Sequence, residues 1–515
     1  MSAAAVTSRV GDSWHRLLGR DARPLAVLAV AFALSRAVYA ALGVRFDVLS
    51  LDYASQLVDA QLLETRLLET IWYLHSQPPL FNLFVGLVLK FSPFGVVGTF
   101  HAVYLALGAL LLWGLYDLGH KVGLSRRVAV VVAVIVGCGP VAVLYENWLT
   151  YEYPLAVLLV LLVDAGARWV RHGRVPALAT FVTLAAAATL TRSLLHPVWL
   201  VAVVVFVLLA RRPQAVSRGV VAAVAVPLVL VGGVMVKNQV LFGSPELSSW
   251  FGFNVYHVAV SPLPPDVFLQ LYGDGVLEAD PVTPPRCELE RPDVPVLAEE
   301  YEQGWSGEVS GRQNFNWECL PPYYRSLADD AFAAARAEPR RTAKTVIGSF
   351  EVWAGPSTFY PGITPNRLEV EGLEAAYRRT VLLSLPWTPP VAAPLAWPAA
   401  AQAPDRRLHI SLTIVAATLV VVGAAAAALI RWRRAGMGPA RAAVVLGGGT
   451  ILFVTLAGNL FEHGENNRFR FVVEPLTLVL AVAVAAAAGR WGQRRRGAST
   501  PPATALDQEG ENEHV

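Results

Sequence analysis

Acidic side chains follow the first long apolar segment of the chain, and their carboxylates could act as bases. Arg45-Phe46-Asp47 opens this stretch, and Asp52 and Asp59 follow. A carboxylate takes the proton of an attacking hydroxyl when it lies within about 3 Å of it. Asp47, directly after the apolar segment, is the first candidate for a catalytic base, and Asp59 is a second. The alternative for each acid is a solvated residue at a segment boundary.

A second polar connector, Tyr145–Pro154, carries two acids among three tyrosines. Tyrosines at the end of an apolar helix are typical of a membrane interface and carry little information on their own. Glu146 directly follows an apolar helix, so we predict that it is a catalytic-site residue that orients an acceptor. Glu152 is explained equally well by solvation.

The string His75-Ser76-Gln77-Pro78-Pro79-Leu80 predicts a rigid start to a helix. Its two prolines fix φ and remove two backbone donors. His75 and Gln77 would then present polar side chains just outside that helix, where we predict that they bind substrate. The alternative is a plain helix start in which His75 makes only local hydrogen bonds.

Basic residues in otherwise apolar surroundings form a third group of candidates. Guanidinium groups bind phosphate through paired donors, so these residues are predicted to bind an anionic substrate. Pairing within a loop, as between Glu465 and Arg468, and simple snorkelling of a lysine are the alternatives. The candidates are Arg192 and His196 in one connector, Arg468 and Arg470 in another, and Lys237 at the end of an apolar segment.

The elements that must position these residues are membrane helices. Of the 515 residues, 55% are apolar, and the mean hydropathy of +0.47 is rare in soluble proteins. The sequence therefore predicts an all-α polytopic membrane protein. Ten segments are predicted to span: 24–44, 96–117, 128–145, 154–169, 176–190, 197–210, 219–236, 409–430, 444–460 and 471–489.

The distribution of arginine predicts the orientation of these segments. Basic residues concentrate in the N-tail, in four turns and in the C-tail, and the positive-inside rule places all six in the cytoplasm. This count requires residues 45–95 to form one outside loop, with an interfacial helix at roughly 80–91 instead of an eleventh span. The predicted protein is a multi-pass component of a bacterial plasma membrane, with both termini cytoplasmic. The four turns are 118–127, 170–175, 211–218 and 431–443.

The same reading divides the chain into five parts. A cytoplasmic tail (1–23) precedes an N-terminal membrane module (24–236) that holds the candidate acids. A large extracytoplasmic loop domain (237–408), with a helix near 326–349, precedes C-terminal helices (409–489) and a disordered tail (490–515). In an oxidising compartment Cys287 and Cys319 of the loop domain could pair, or they could stay free thiols.

Cofactor and nucleic-acid motifs are not found in the sequence. It has no glycine-rich phosphate loop, no nucleophile elbow and no basic tract with interleaved aromatic residues, so no cofactor and no nucleic-acid partner are predicted. A divalent metal is not indicated, because His463 with Glu462 and Glu465 is only a weak candidate site.

The acid-bearing first loop, closed by His75–Leu80, resembles the protein O-mannosyltransferase branch of the C-type integral-membrane glycosyltransferases. The second short outside loop with an acid resembles that family too, and Glu465–Arg470 is similar to late polar loops of its bacterial members. The resemblance covers residues 24–240 and the rest in outline. The chain departs from the family pattern at the first-loop Asp-Glu pair, because Val48 follows Asp47, and in reading His-Ser-Gln-Pro-Pro instead of His-Pro-Pro.

This resemblance implies a polyprenyl-phosphate sugar donor, transfer on the outer face with inversion, and a first-loop aspartate as base, here Asp47. The predicted protein is thus a cell-envelope glycosyltransferase that acts on a glycan, lipid or protein acceptor. A flippase for lipid-linked glycans and a non-catalytic assembly protein are the alternatives. Convergence of Asp47, Glu146 and Arg192 on one cavity would favour the enzyme, and their dispersal would favour the assembly protein.

Overall fold

The computed structural model describes residues 3–211, 216–278, 287–301, 304–307, 311–387 and 408–498, with side chains from residue 22 to residue 493. The described chain is mainly helical. Its N-terminal helices are α1 (Ala3–Ala41), α2 (Ser50–Tyr53), α3 (Ala60–Thr65), α4 (Leu67–Tyr73), α5 (Pro79–Lys90), α6 (Val96–Lys121), α7 (Arg126–Gly137), α8 (Pro140–Glu146), α9 (Glu152–His172), α10 (Val175–Thr191), α11 (Pro197–Ala210) and α12 (Arg218–Phe242).

The second half of the chain adds shorter helices and two small antiparallel ribbons, β1–β2 and β3–β4. Its helices are α13 (Phe251–Ala259), α14 (Pro265–Gly273), α15 (Leu320–Ala337), α16 (Pro339–Ala354), α17 (Thr364–Glu369), α18 (Glu371–Thr380), α19 (Leu412–Ala435), α20 (Pro439–Leu460), α21 (Asn466–Phe471) and α22 (Glu474–Ala498). The strands are β1 (Glu300–Tyr301), β2 (Arg312–Gln313), β3 (Ser384–Trp387) and β4 (Leu408–Ser411), and 3-10 turns occur at Pro295–Leu297 and Pro361–Ile363.

Seven helices of the described chain are long and apolar enough to cross a membrane, which confirms an all-α polytopic membrane protein. They coincide with seven of the ten predicted segments. These spans are Ala22–Ala41 of α1, Glu474–Gln493 of α22, and the whole of α6, α9, α12, α19 and α20.

The other three predicted segments differ from straight, full-length spans. Segment 128–145 is a pair of helices, α7 and α8, bent by 54° where Gly139-Pro140 interrupts the hydrogen-bond ladder. Segments 176–190 and 197–210 correspond to α10, with 17 residues, and α11, with 14. Both are shorter than the roughly 20 residues that a perpendicular crossing needs. The helix predicted at 80–91 is present as α5, whose 12 residues reach only about 18 Å.

Helix α9 lies at the centre of the bundle, and 78% of its apolar stretch is buried. It packs against α6, α10 and α20. Helix α1 lies at the periphery and leaves Val27, Val30 and Leu34 more than half exposed, a stripe that lipid would cover.

The basic turns meet at one end of the bundle. Arg211 donates hydrogen bonds to the carbonyls of Val170 and Arg171, joining the turns after α9 and α11. Gly123, in the turn after α6, lies beside the guanidinium of Arg490. This shared end agrees with the sorting of arginine that the sequence predicts.

Residues 45–95 and the described part of 243–411 fold together, and we call this end of the molecule the loop face. Arg312 holds the first loop by donating to the carbonyls of Leu51 and Asp52, each over 2.9 Å. Asn366 binds the backbone of Arg45 through both ends of its side-chain amide. The two loops that the sequence separates by about 200 residues are therefore one structural unit.

Part of the large loop has a core of its own, built around Trp250, Tyr256 and Leu327. Cys287 and Cys319 form a disulfide beside this core, one of the two alternatives that the sequence left open. The single helix predicted near 326–349 is two helices, α15 and α16, because Pro339 starts a new helix after Glu338. Residues after Glu338 pack mainly on the membrane bundle, so the predicted loop domain does not have a single core.

Close contact between α13 and α15 depends on Gly252. A methyl group at this position would overlap the backbone carbonyl oxygen of Tyr324, which cannot move without shifting α15. We expect Gly252→Ala to lower the free energy of unfolding of the loop face by about 1–3 kcal/mol, measured by limited proteolysis and thermal unfolding. Gly273→Ala is the control, because Gly273 ends α14 with open space around it. Equal stability of the two variants would contradict the close contact.

Candidate functional site

A two-part cavity lies at the loop face, between the ends of α10, α11 and α20 and the residues around α13. The larger part, which we call the apolar chamber, has a volume of about 590 Å³, and the smaller, the polar chamber, about 390 Å³. The two chambers are neighbours and have five lining residues in common. Residues that line both are Arg192, Ser193, Asn254, Glu462 and Phe469.

The apolar chamber lies between two membrane-facing helices. Leu194 and Pro197, at the start of α11, form one wall, and Phe453, Leu456 and Leu460 of α20 form the other. The outward sides of the same helices are also apolar and exposed, with Val198 64% and Leu452 41% exposed. The chamber is thus placed where a hydrocarbon chain could pass from the bilayer into the protein.

Two arginines stand at the junction of the chambers and share one buried carboxylate. Arg192 Nη1 donates to Glu152 Oε1 at 2.9 Å, and Arg468 Nε lies 3.1 Å from the same oxygen. Arg468 also contacts Glu465 Oε2 at 2.7 Å and donates to the hydroxyl of Tyr360 at 2.9 Å. Glu465 lies three residues before Arg468, but Glu152 and Tyr360 come from other segments, so tertiary packing completes the cluster.

Arg192 keeps donors free for a ligand. Its guanidinium packs between the rings of Tyr151 and Phe469, 4.6 and 4.1 Å from their centroids. Within the described part of the chain only its Nη1 donates a hydrogen bond, so Nε and Nη2 are open to the cavity. An anion at the junction would meet these donors in a setting of low dielectric.

Glu462 is the carboxylate that faces both chambers. Burial raises the pKa of Glu462 to about 8, and repulsion from Glu465 adds to the shift, while Arg192 and Arg468 oppose it. A carboxyl with this pKa is a stronger base than an ordinary glutamate and titrates near neutral pH. Glu465 is held differently, because Arg468 and the Tyr360 hydroxyl both bind it.

Four of the predicted site residues line the cavity. Arg192 and Arg468 form the junction, and Gln77 lines the polar chamber. His196 lines the apolar chamber, where its Nδ1 accepts a hydrogen bond from the amide of Val198 and caps α11. The other predicted residues lie elsewhere.

Asp47 and Asp59, the predicted first-loop bases, lie outside the cavity. Asp47 accepts a hydrogen bond from the amide of Leu49 at 2.7 Å, and its backbone pairs with the segment around Trp148. Burial raises the pKa of Asp47. Asp59 is buried and caps α3 by accepting from the amide of Leu62 at 3.1 Å.

His75, Lys237 and Arg470 have structural partners instead of a place in the cavity. The ring of His75 lies 3.0 Å from both the Ser249 hydroxyl and the Asn316 carbonyl, which ties the first loop to the large loop. Burial lowers the pKa of His75 to about 3, so the ring is neutral. Lys237 donates to the carbonyl of Leu74 at 2.6 Å. Arg470 is paired with Glu474 at 3.0 Å.

Glu146, predicted to orient an acceptor, is fully buried in the membrane bundle. Arg36 of α1 binds both of its oxygens, and the Tyr153 hydroxyl donates to Oε2 at 2.8 Å. Gly108 makes room for it, since a methyl group there would overlap the carboxylate. The ion pair with Glu146 accounts for Arg36, the one arginine inside the first predicted span.

Removing one partner of this pair should destabilise the fold. Glu146→Gln leaves Arg36 buried with no counter-charge, and we expect the free energy of unfolding to fall by about 3–5 kcal/mol, measured by denaturation in detergent. The double variant Arg36→Gln/Glu146→Gln should recover most of the loss. A single variant that stays stable but loses catalytic activity would instead indicate a direct role of Glu146.

Asp47, Glu146 and Arg192 therefore do not converge on one cavity, and by this criterion their dispersal favours the non-catalytic assembly protein over an enzyme that uses these three residues. Glu462 and Glu465 line the polar chamber instead. The sequence raised both as weak metal ligands, and it also gave Glu465 as a loop partner of Arg468, a pairing that the structure shows. Among the described residues, no group of three His, Cys, Asp or Glu side chains is arranged to hold a metal ion.

Helix α13 supplies a wall of the polar chamber that sequence reasoning did not find. Trp250, Phe253, Asn254 and His257 line this chamber from one face of the helix. Their spacing of three, four and seven residues is the signal that could have identified the wall. Comparison of the chain with protein-family models, curated proteins and solved structures finds no match.

Proposed function

We propose that this protein transfers a sugar from a polyprenyl-phosphate donor to an acceptor hydroxyl at the loop face. The positive-inside rule puts that face outside the cytoplasm. The observation that carries the proposal is a pair of neighbouring cavities: an apolar chamber beside lipid-facing helices and a polar chamber, with buried Arg192 lining both and buried Arg468 lining the polar one. A lipid-linked phosphate has the same order of parts: hydrocarbon chain, anion, sugar.

The arginine pair matches the chemistry of the leaving group. A polyprenyl phosphate departs as a weakly basic anion, which needs stabilisation of charge more than a proton. The Nε and Nη2 donors of Arg192 would hold the phosphate, and Arg468, already paired with Glu152 and Glu465, would fix the carboxylate that positions Arg192. The hydrocarbon chain would lie in the apolar chamber, and the sugar would enter the polar chamber.

Glu462 replaces Asp47 as the proposed base, because Glu462 lines the cavity and Asp47 does not. The acceptor oxygen attacks the anomeric carbon and gives its proton to Glu462. The bond between that carbon and the phosphate oxygen breaks, and its electron pair leaves with the phosphate. Attack opposite the leaving group inverts the anomeric configuration.

The test uses purified full-length protein in proteoliposomes with radiolabelled polyprenyl-phosphate sugars and envelope extracts as acceptors. Label should move from the lipid phase to the acceptor. A photoreactive analogue of the donor should crosslink to α20 near Leu456. Intact donor recovered in the opposite leaflet would favour a flippase. The absence of both transfer and crosslinking would overturn the proposal in favour of an assembly protein.

A further inference from the structure

We infer that the polar chamber is a carbohydrate subsite, so that the acceptor is itself a sugar and not a peptide or a lipid. This inference rests on the proposed function and specifies the acceptor. The observation behind it is that amide side chains with no hydrogen-bond partner in the described chain line the same chamber as a row of aromatic rings.

Three carboxamides line the polar chamber without engaging the protein. Gln56 and Gln77 come from the first loop and Asn254 from α13. Their side chains make no hydrogen bond to the described part of the chain, although Gln77 is only 7% exposed. Each carboxamide offers two donors and one acceptor. Gln56 and Asn254 are half-buried, and none of the three amides is fully enclosed by protein, so a ligand in the chamber can pair with them.

The aromatic wall also has an unused donor. Trp250 is 7% exposed, and its Nε1–H has no hydrogen-bond partner among the described residues. Its ring packs on Phe253, and Phe253 on His257, so one side of the chamber is a continuous aromatic surface. Burial lowers the pKa of His257, so this side is uncharged.

Sugars present the matching chemistry. Each hydroxyl both donates and accepts, as carboxamides do, and the apolar C–H face of a pyranose packs on an aromatic ring. An extended peptide would be recognised by main-chain groups at a strand edge, whereas side chains form this chamber. A lipid acceptor would need a second apolar chamber beside the one that the donor chain fills.

The experiment measures saccharide binding without donor, on the full chain in nanodiscs, by saturation-transfer NMR and calorimetry. The probes are neutral disaccharides (mannobiose and galactobiose) and a Ser/Thr-rich peptide. We expect at least one disaccharide to bind and the peptide not to bind. Asn254→Ala and Gln77→Ala should each weaken binding roughly tenfold, the effect of one or two lost hydrogen bonds. Neither removes a contact within the protein, so both should fold.

Trp250→Phe tests the unused indole donor, with Trp353→Phe as its control. Trp353 is 6% exposed, its Nε1 also lacks a partner among the described residues, and it lies outside the cavity. Only Trp250→Phe should weaken saccharide binding. Binding of the peptide alone, or saccharide binding that none of the chamber variants changes, would overturn the inference. Donor crosslinking near Leu456 and sugar transfer are scored separately: crosslinking without saccharide binding refutes the carbohydrate subsite alone, and the absence of both transfer and crosslinking refutes the proposed function.

Discussion

Replacing Arg192 with glutamine is expected to reduce sugar transfer by roughly 10²–10³-fold, the loss seen when one preorganised donor to a developing anion is removed. The open donors of Arg192 lie at the junction of the two chambers, where the phosphate would gain negative charge. The fold should survive the change, because Glu152 keeps its contact with Arg468. Transfer rates in proteoliposomes, divided by the amount of inserted protein, measure the effect.

Two further variants make the Arg192 result specific. Arg192→Lys keeps the charge but not the planar pair of donors, so its activity should lie between those of wild type and Arg192→Gln. Arg211→Gln removes an arginine that binds carbonyls at the opposite end of the bundle and should leave transfer unchanged. Activity of Arg192→Gln within twofold of wild type would exclude a phosphate-binding role for this residue.

Replacing Glu462 with glutamine is expected to lower transfer by about 10²–10⁴-fold, the usual contribution of a general base. The wild-type rate should also depend on pH in a specific way. Because the folded-state pKa of Glu462 is about 8, the basic form is scarce at neutral pH. kcat/KM should therefore rise about tenfold per pH unit below pH 8 and level off above it. The Glu462→Gln variant should lack this rise.

The stability of Glu462→Gln separates loss of chemistry from loss of fold. The folded state holds this proton up to about pH 8, whereas the unfolded chain releases it near 4.5, so the carboxyl disfavours folding increasingly between these values. Glutamine removes that cost, and the variant should be at least as stable as wild type at pH 8.

Asp47→Asn is the matched comparison and should keep most activity. An inactive Asp47→Asn with an active Glu462→Gln would restore Asp47 as the base.

The membrane architecture could largely be predicted from the sequence, because hydrophobic length and cation distribution are local properties. Seven spans and helix α5 lie where the sequence puts them, and the basic turns share one end. The bend at Gly139-Pro140 was missed, although the dipeptide marks it. The bounds of α10 and α11 match the predicted segments to within one residue, but both helices are shorter than a perpendicular crossing needs.

The candidate site could be predicted only in part, because residue type and position do not show which polar groups already satisfy one another. The sequence by itself identified Arg192 and Arg468 as unusual cations, because charged residues beside apolar segments are energetically costly and usually have a role. Only the tertiary structure decided that Glu146 forms an ion pair with Arg36, whereas Glu462 lines the cavity. Arg36 and Glu146 lie 110 residues apart in the sequence, and only packing of the whole bundle brings them together.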